Sequence, residues 1–588
     1  MKEVRKVGII GIGPRGGYAL ERLVLELARQ KSLHNIHFSL FEPTGNFGNG
    51  PVYDLHQNPS NWINITERVM ELPRREALDS PDLKIPSFPS YHEWVGKDYD
   101  TISEDTMDTY PPRNQIGKYL SQRFESLTLP LMATNRVSMY EEEVRKIDYS
   151  NKDTIQILTD TGTHTGYDEV VLTIGHQLTE ASQQIKDWDK FASDKGSINL
   201  FKAPYPTTAY LDHQNLNGKS CIGIRGFGLA MIDVVRAISE KFGKFILEDG
   251  QTRACTYQAG KECHVMYVPF SLDGLPSVPK PLNARVDNWF EPSKAALIRF
   301  EEQIGDQQTQ QKAGSPLFLI ASFAPIAAAI YAQLPKPAHA QNLSKTGVEE
   351  LVIQWLKDQT IDHPLITPGN QPALKSMEEF VEMAIGNRPI SLDYCIGQVW
   401  RHCQPSIYRA LSFNNCSDRV FAEIIALDES TKRYSYGPPV DSIQQLLALG
   451  RAGALNLEFV NDPHIELTEK GWRFDLEGRS VTATMMIDSV LDAPKIKSVR
   501  SPIVKNLLED NLMKVVHDDL GIKTDKYGYL LSKNNDSDKP IALLGRLAKG
   551  TVIGVDAILE CFGPRPRQWA EQAAAKHIDW LHKMKAAM

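Results

Sequence analysis

The sequence predicts an α/β protein with two strand–turn–helix units and a helical insertion. Three observations carry that expectation. A glycine-rich turn follows an apolar run at residue 11, a similar turn recurs at residue 226, and the patterns from 291 to 450 are helical. The chain has 588 residues. At ~150 residues per domain that allows about four domain-sized units, enough to bury several cores without disulfide or metal staples.

Composition removes several classes. Hydrophobic residues make up 42% and charged residues 23%, which excludes a mostly disordered chain. The 39 glycines and 35 prolines are near average usage and exclude collagen-like and low-complexity chains. The net charge is −8 and no long basic run occurs, so nucleic acid is not an expected partner. The seven cysteines are odd in number and none has C-x-x-C spacing. A disulfide framework, a zinc ribbon and a redox dithiol are therefore not expected.

The first unit is read in order. Residues 6–11 (KVGIIG) form a short buried strand, and Gly11-Ile12-Gly13-Pro14-Arg15-Gly16 matches G-x-G-x-x-G. A helix follows, with Leu20, Leu23, Val24 and Leu27 at i, i+3, i+4, i+7. A second strand, 36–41, ends at Glu42. In this context the motif reads as a dinucleotide site. Gly11 permits the tight turn, Gly13 lets backbone approach a pyrophosphate, and Gly16 lets helix and strand pack closely. The helix N-terminus offers its dipole to the phosphates. Glu42 suits ribose hydroxyls and would repel a 2′-phosphate, which favours FAD or NAD over NADP.

The second unit is degraded. Residues 220–225 (SCIGIR) read as a strand, Gly226-Phe227-Gly228 as a turn, and Leu229 onward as a helix carrying Ile232, Val235 and Ile238. Met231 replaces the third glycine, and no clear second strand ending in an acid or an Arg follows. This is either a second dinucleotide site or a related unit lining a pocket. A longer repeat supports two units. A three-stranded meander leads into a buried strand at 144–175 and again at 465–493. The fold class is thus α/β, with two Rossmann-like dinucleotide-binding domains and a helical insertion between their halves. Helices are expected at 348–357, 377–385 and 443–449 of that insertion, either as a pocket or lid over a cleft or as a docking surface.

Two apolar stretches test for membrane or export. The opening run is broken by Gly8, Gly11 and Gly13, which favours a strand over a signal peptide. Residues 315–334 carry no charge, but Pro316, Pro325, Ser322 and Gln333 predict a buried helix pair or pocket wall rather than a span. No stable membrane insertion is expected, and the cytoplasm is the default location. At the far end, 541–544 read as a strand, followed by Gly545 and by Asp556, placed to cap a helix or to bind a ligand hydroxyl.

Five stretches resemble the FAD-NAD(P)-binding family, relatives of flavin-containing and N-hydroxylating monooxygenases. They are GIGPRGGYALERL at the start, PPRNQIGKYL at 111–120, DEVVLTIGH at 168–176, IRGFGLAMIDVV at 224–235 and GTVIGVDAILECFG at 550–563. The likeness is strongest in the first 240 residues and weaker in the helical middle. It implies FAD on Gly11, Gly13, Gly16 and Glu42, with Pro14 and Arg15 beside the pyrophosphate. It also implies Asn64 and Arg113 at the flavin cleft, and Gly175 as the glycine of a T-x-G segment at the domain crossover. Gly545 and Asp556 would lie in the C-terminal flavin segment, and NAD(P)H would bind at Gly226 and Gly228. The implied domains are 1–205 and 501–588 for FAD, 206–290 and 451–500 for the nicotinamide, and 291–450 as the insertion. The implied activity is an NAD(P)H-dependent monooxygenase that oxidises a small nucleophile, an amine among the candidates, through a flavin C4a-hydroperoxide. The Baeyer–Villiger signature F-x-G-x-x-x-H-x-x-x-W is absent, so that reaction is not implied. The lack of C-x-x-C excludes a disulfide-reductase mechanism. Two alternatives stay open: a structural or sensory FAD protein whose insert binds a partner, and a flavin oxidase independent of nicotinamide.

Single residues are ambiguous at this level. His176 is placed to meet a cofactor or to pack. Cys395, His402 and Cys403 share a helical stretch, but a metal would need more ligands. Arg225, Arg401 and Arg409 are candidates for an anionic substrate or for packing.

Overall fold

The computed structural model describes residues 3–80, 83–150, 154–335, 344–491, 496–518, 520–531, 539–555 and 557–586. Two parallel sheets organise it. The first has five strands in the order Ile541–Leu543, Glu169–Leu172, Arg5–Ile10, Ile36–Phe41, Val137–Tyr140, all parallel. The second has four in the order Asn199–Phe201, Met485–Asp488, Cys221–Arg225, Met266–Phe270, again all parallel. Parallel strands buried on both faces read as continuous apolar runs, which is why KVGIIG and IALL were legible.

The first sheet is a middle layer. Val7, Ile9, Phe38, Leu40 and Val171 face the Pro14–Arg29 helix and Trp569, Ala570, Ala573 and Ala574 of the Pro564–Ala586 helix. Ile10, Phe41, Leu172 and Leu543 face the other way, onto Ile147, Ile155 and Ile157 of the antiparallel strands Val144–Asp148, Ile155–Thr159 and Thr163–Tyr167. The C-terminal helix is tied in by charge. Glu169, fully buried, accepts from Arg5 Nη2 at 2.5 Å, Tyr529 Oη at 2.6 Å and Trp569 Nε1 at 3.1 Å. Three chain-distant segments therefore donate to one carboxylate, which burial makes costly to leave unpaired.

The second sheet repeats the arrangement. Met486 and Phe270 pack on Trp472, Phe474 and Ala483 of the antiparallel strands Gly471–Leu476 and Arg479–Ala483. Ile222, Ile224 and Ile487 join a core with the Leu229–Phe242 helix and the insertion. Helices of that insertion include Lys294–Gly305, Lys345–Lys357 and Asp418–Ser435, whose N-termini are capped by Ser293, Ser344 and Ser417.

Three sequence expectations are corrected. The strand Asn199–Phe201 joins the second sheet, ahead of the boundary placed at 205. Residues 315–334 contain one helix, Leu317–Gln333, rather than a pair; its alanines sustain helix around Pro325 while Leu319, Phe323 and Tyr331 are buried. The second unit does have a second strand, Met266–Phe270. A hairpin, Gly243–Leu247 with Cys255–Ala259, separates it from the glycine turn, and it carries Pro269, which an edge strand tolerates. No helix among the described residues is long and apolar enough to cross a membrane.

Candidate nucleotide site and interdomain cleft

The first turn is held from three sides. Gly11 N–H donates to the Phe41 carbonyl at 2.8 Å, and the Thr173 hydroxyl donates to the Gly11 carbonyl. Gly11 has φ +88°, and a Cβ there would fall 2.9 Å from Ile174 Cα. A Cβ on Gly16 would overlap the Gly11 carbonyl, so helix and strand meet in closer contact than any side chain allows. Gly13 is different. Its nearest neighbour in the Cβ direction is Gly50 Cα at 3.7 Å, so the turn is open there. Gly13 caps the Pro14–Arg29 helix without a side-chain hydrogen bond, leaving the dipole end for an anion. These features fit a dinucleotide pyrophosphate.

Glu42 lies just beyond the Ile36–Phe41 strand and is buried. Its Oε1 accepts from the Thr44 hydroxyl at 2.8 Å and from Thr44 N–H at 3.2 Å. Burial pushes its carboxyl up, against those hydrogen bonds. The loop beyond it was missed from sequence. Gly48 N–H donates to the Ile12 carbonyl at 2.7 Å, and Gly48 and Gly50 both have positive φ. Three glycines in TGNFGNG were the available signal.

The second turn repeats the backbone hydrogen bonds that tie the first to its neighbouring strands. Gly226 N–H donates to the Phe270 carbonyl at 2.8 Å, and Gly226 has φ +110°. Ser489 takes the place of Thr173: its N–H donates to the Arg225 carbonyl as that of Thr173 does to Ile10, at 2.8 Å each, but its hydroxyl donates to the Arg225 carbonyl, at 2.7 Å, and not to the glycine's. A Cβ on Gly226 would fall 2.5 Å from Ser489 Oγ. Gly228 caps the Leu229–Phe242 helix with no side-chain bond, and nothing lies within 4 Å in its Cβ direction. Met231, at the position of Gly16, is buried in the core instead.

Several other predicted residues lie at contacts between chain-distant segments. Arg15 donates to the carbonyls of Val555 and Glu560 at 3.1 Å each, tying the glycine turn to the C-terminal return. Gly545, φ +105°, lies against Arg15, where a Cβ would come within 3.0 Å of Nε. Asn64 Nδ2 donates to the Tyr436 carbonyl at 3.1 Å, and its own carbonyl accepts from Lys280 Nζ. Burial, then Arg401, pushes the Lys280 amine down to about 7. Arg113 starts the Arg113–Ala133 helix 3.7 Å from Asp233 and 5.4 Å from the Tyr205 ring centre, and its buried Nε has no hydrogen-bond partner. Burial pushes the Asp233 carboxyl up, against the pull of Arg113 and Arg236. Gly175, φ +63°, and His176 are exposed at the end of the Glu169–Leu172 strand. Asp556 lies outside the described residues.

The insertion meets the C-terminal return through its Leu392–Leu411 helix. A Cβ on Gly554 would overlap the Tyr408 ring, and Phe413 N–H donates to the Thr551 carbonyl at 2.7 Å. Tyr408 carried no motif and was not found from sequence. Three candidate arginines are engaged elsewhere: Arg225 with Asp488 at 3.0 Å, Arg401 with Asp287, and Arg409 with Glu301 at 2.6 Å. Burial opposes the Asp287 charge, but Arg401 and His402 hold its carboxyl well below the usual range. Cys395 and Cys403 are fully buried, and burial pushes both thiols up. Among the described residues no group of three or more His, Cys, Asp or Glu side chains is placed to hold a metal ion.

Residues 8–177 match the family model described as FAD-NAD(P)-binding. The segment is similar to that family over this range. It contains the Gly11 turn, Glu42 and Thr173. Nitrosuccinic acid synthase of Aspergillus oryzae is 24% identical over 238 residues, 40% of this chain. The match spans 35% of that relative's length. Ornithine hydroxylase from Pseudomonas aeruginosa is 12% identical, with TM-score 0.44 over 98% of this chain and 100% of that one. A triple mutant of cyclohexanone monooxygenase from Rhodococcus sp. Phi1, bound to NADP+, is 13% identical, with TM-score 0.45 over 97% of this chain and 86% of that one.

Proposed function

We propose that this chain is an NAD(P)H-dependent flavin monooxygenase acting on a small nucleophilic substrate, with an amine nitrogen as the oxidised atom. The observation that carries the reading is the duplicated turn. Gly11 and Gly226 make the same backbone hydrogen bond to the neighbouring strand, the first inside the segment matched by the FAD-NAD(P)-binding model and the second in the other parallel sheet. The partial relative named for nitrosuccinic acid, a product with oxidised nitrogen, supports the amine.

Residues of both turns would hold the two cofactors. The open backbone at Gly13 and the uncapped helix behind it would take the FAD pyrophosphate, and Glu42 the ribose hydroxyls. Gly226 and Gly228 would do the same for the nicotinamide dinucleotide. Bound flavin would supply electron transfer from nicotinamide and activation of oxygen. The protein's own part is position and dryness. Arg15 fixes the C-terminal return against the turn, and Tyr408 closes the insertion onto Gly554. Lys280, near neutrality at Nζ, holds an exchangeable proton beside Asn64.

The test is the visible spectrum of the purified protein, followed by anaerobic addition of NADH and NADPH. A yellow protein bleached by one of them is expected. A colourless protein that takes up no FAD overturns the reading. Yellow protein bleached by neither, but reduced by a substrate, would make it an oxidase.

A further inference from the structure

The two units differ at one chemically decisive place, the tip of the strand beside the glycine turn. Phe41 and Phe270 occupy the same position, each accepting from the first glycine of its turn. The residue after Phe41 is Glu42, and the residue after Phe270 is Ser271. Two residues further on stand Thr44 and Asp273. Each tip therefore carries one carboxylate hydrogen-bonded to one hydroxyl, in opposite order. Thr44 donates to Glu42 at 2.8 Å, and Ser271 donates to Asp273 at 3.0 Å. Leu275 N–H also donates to Asp273, at 3.1 Å, fixing the same oxygen. Asp273 is exposed, unlike the buried Glu42.

We propose that Ser271 and Asp273 make the second turn selective for a nicotinamide dinucleotide with a free ribose 2′-hydroxyl, that is NADH over NADPH. The proposal rests on the reading of that turn as the nicotinamide site. In a dinucleotide-binding unit the tip of the strand next to the glycine turn meets the adenosine ribose. A carboxylate there accepts from the 2′-hydroxyl and repels a 2′-phosphate, whereas an Arg or Lys is needed to hold the phosphate. Residues 271–279 contain no Lys or Arg. Neither does the segment 455–463, which pairs with the tip through Ser271 and Asn461 and carries two carboxylates, Glu458 and Asp462. Arg225, just before the turn, is on the strand paired with Met485–Asp488 and is held by both oxygens of Asp488, at 3.0 and 3.1 Å. Among the described residues, cations around this tip are already engaged: Arg433 Nε donates to the Pro276 carbonyl at 2.8 Å, Arg479 pairs with Glu458 at 3.1 Å, and Lys280 Nζ donates to the Asn64 carbonyl. The degraded Met231 position does not alter this tip.

The experiment measures binding of NAD+ and NADP+ to the full-length FAD-containing protein by calorimetry and by the shift in Tm. NAD+ is expected to bind at least about tenfold more tightly, the difference that about 1.4 kcal/mol makes. Asp273→Asn, which keeps the shape of the loop, should narrow that gap by tightening NADP+. Ser271→Arg should narrow it further or reverse it. The ratio of anaerobic flavin-reduction rates with NADH and NADPH should follow the same order. NADP+ binding as tightly as NAD+ to the wild-type protein overturns the selectivity and leaves the nicotinamide reading standing. A gap unchanged in both variants overturns the assignment to this tip. No binding of either dinucleotide overturns the nicotinamide reading and the selectivity together.

Discussion

The first and second glycine turns share their backbone hydrogen bonds but not their packing. In the first, Gly16 brings the helix against the strand, and Thr173, the 44–50 loop, Arg15 and the C-terminal helix all converge on the turn. In the second, Met231 stands at the Gly16 position and is buried among the residues of the insertion. The hydrogen-bond frame of the turn therefore does not need the third glycine. What that glycine sets is helix–strand distance, and the second unit fills the extra space with side chain. The difference also shows how each unit is closed: the first by the chain's own C-terminal return, the second by an inserted helical region.

The sharpest way to break the first closure is Glu169→Ala. It strands Arg5 and removes the partner of Tyr529 and Trp569, at a cost of about 3–5 kcal/mol for a broken buried pair. Thermal melting should show the loss, with FAD released in the same transition if the C-terminal return depends on it. A smaller effect comes from acid. His577, on the C-terminal helix, is fully buried, and its Nε2 donates to the His34 carbonyl at 3.0 Å. Burial, then Arg5, pushes its pKa down to about 4 from the usual 6.5. The folded protein therefore binds fewer protons than the unfolded one between those values. Stability is full above about pH 6.5 and falls as pH drops toward 4, by about 2–3 kcal/mol at about 1.4 kcal/mol per unit. Denaturant titrations at pH 7 and 4.5 should show the slope, and His577→Gln should flatten it.

The turns themselves separate next. Gly16→Ala forces a methyl onto the Gly11 carbonyl and should cost about 1–3 kcal/mol, as overpacked sites do. Gly228→Ala meets open space and should change stability by no more than about 0.5 kcal/mol while weakening NAD+ binding. Equal melting temperatures for the two variants would erase the packing difference between the units. The smallest effect is expected from Glu42→Gln, which keeps the fold and lowers FAD affinity about tenfold, measured by flavin release on dilution.

Much of the first unit was legible because its signals are local. Strand, turn, helix and terminal acid follow one another within forty residues, so periodicity and glycine spacing suffice. Asn64 and Arg113 were reached through resemblance, and the structure places each against a different partner, Tyr436 and Asp233. The Met266–Phe270 strand escaped because a hairpin intervenes and Pro269 interrupts it. Tyr408 escaped because its role exists only where a distant helix meets Gly554.

What the sequence determined by itself is the set of local conformations: two parallel-sheet units, their glycine turns and the helical character of the insertion, all fixed by short-range sterics and apolar periodicity. What the tertiary structure decided is partnership. Which hydroxyl clamps each turn, which carboxylate stands at each strand tip, and which helix closes the cleft depend on side chains brought together across hundreds of residues. Burial then decides which of those charges and hydrogen bonds must find a partner.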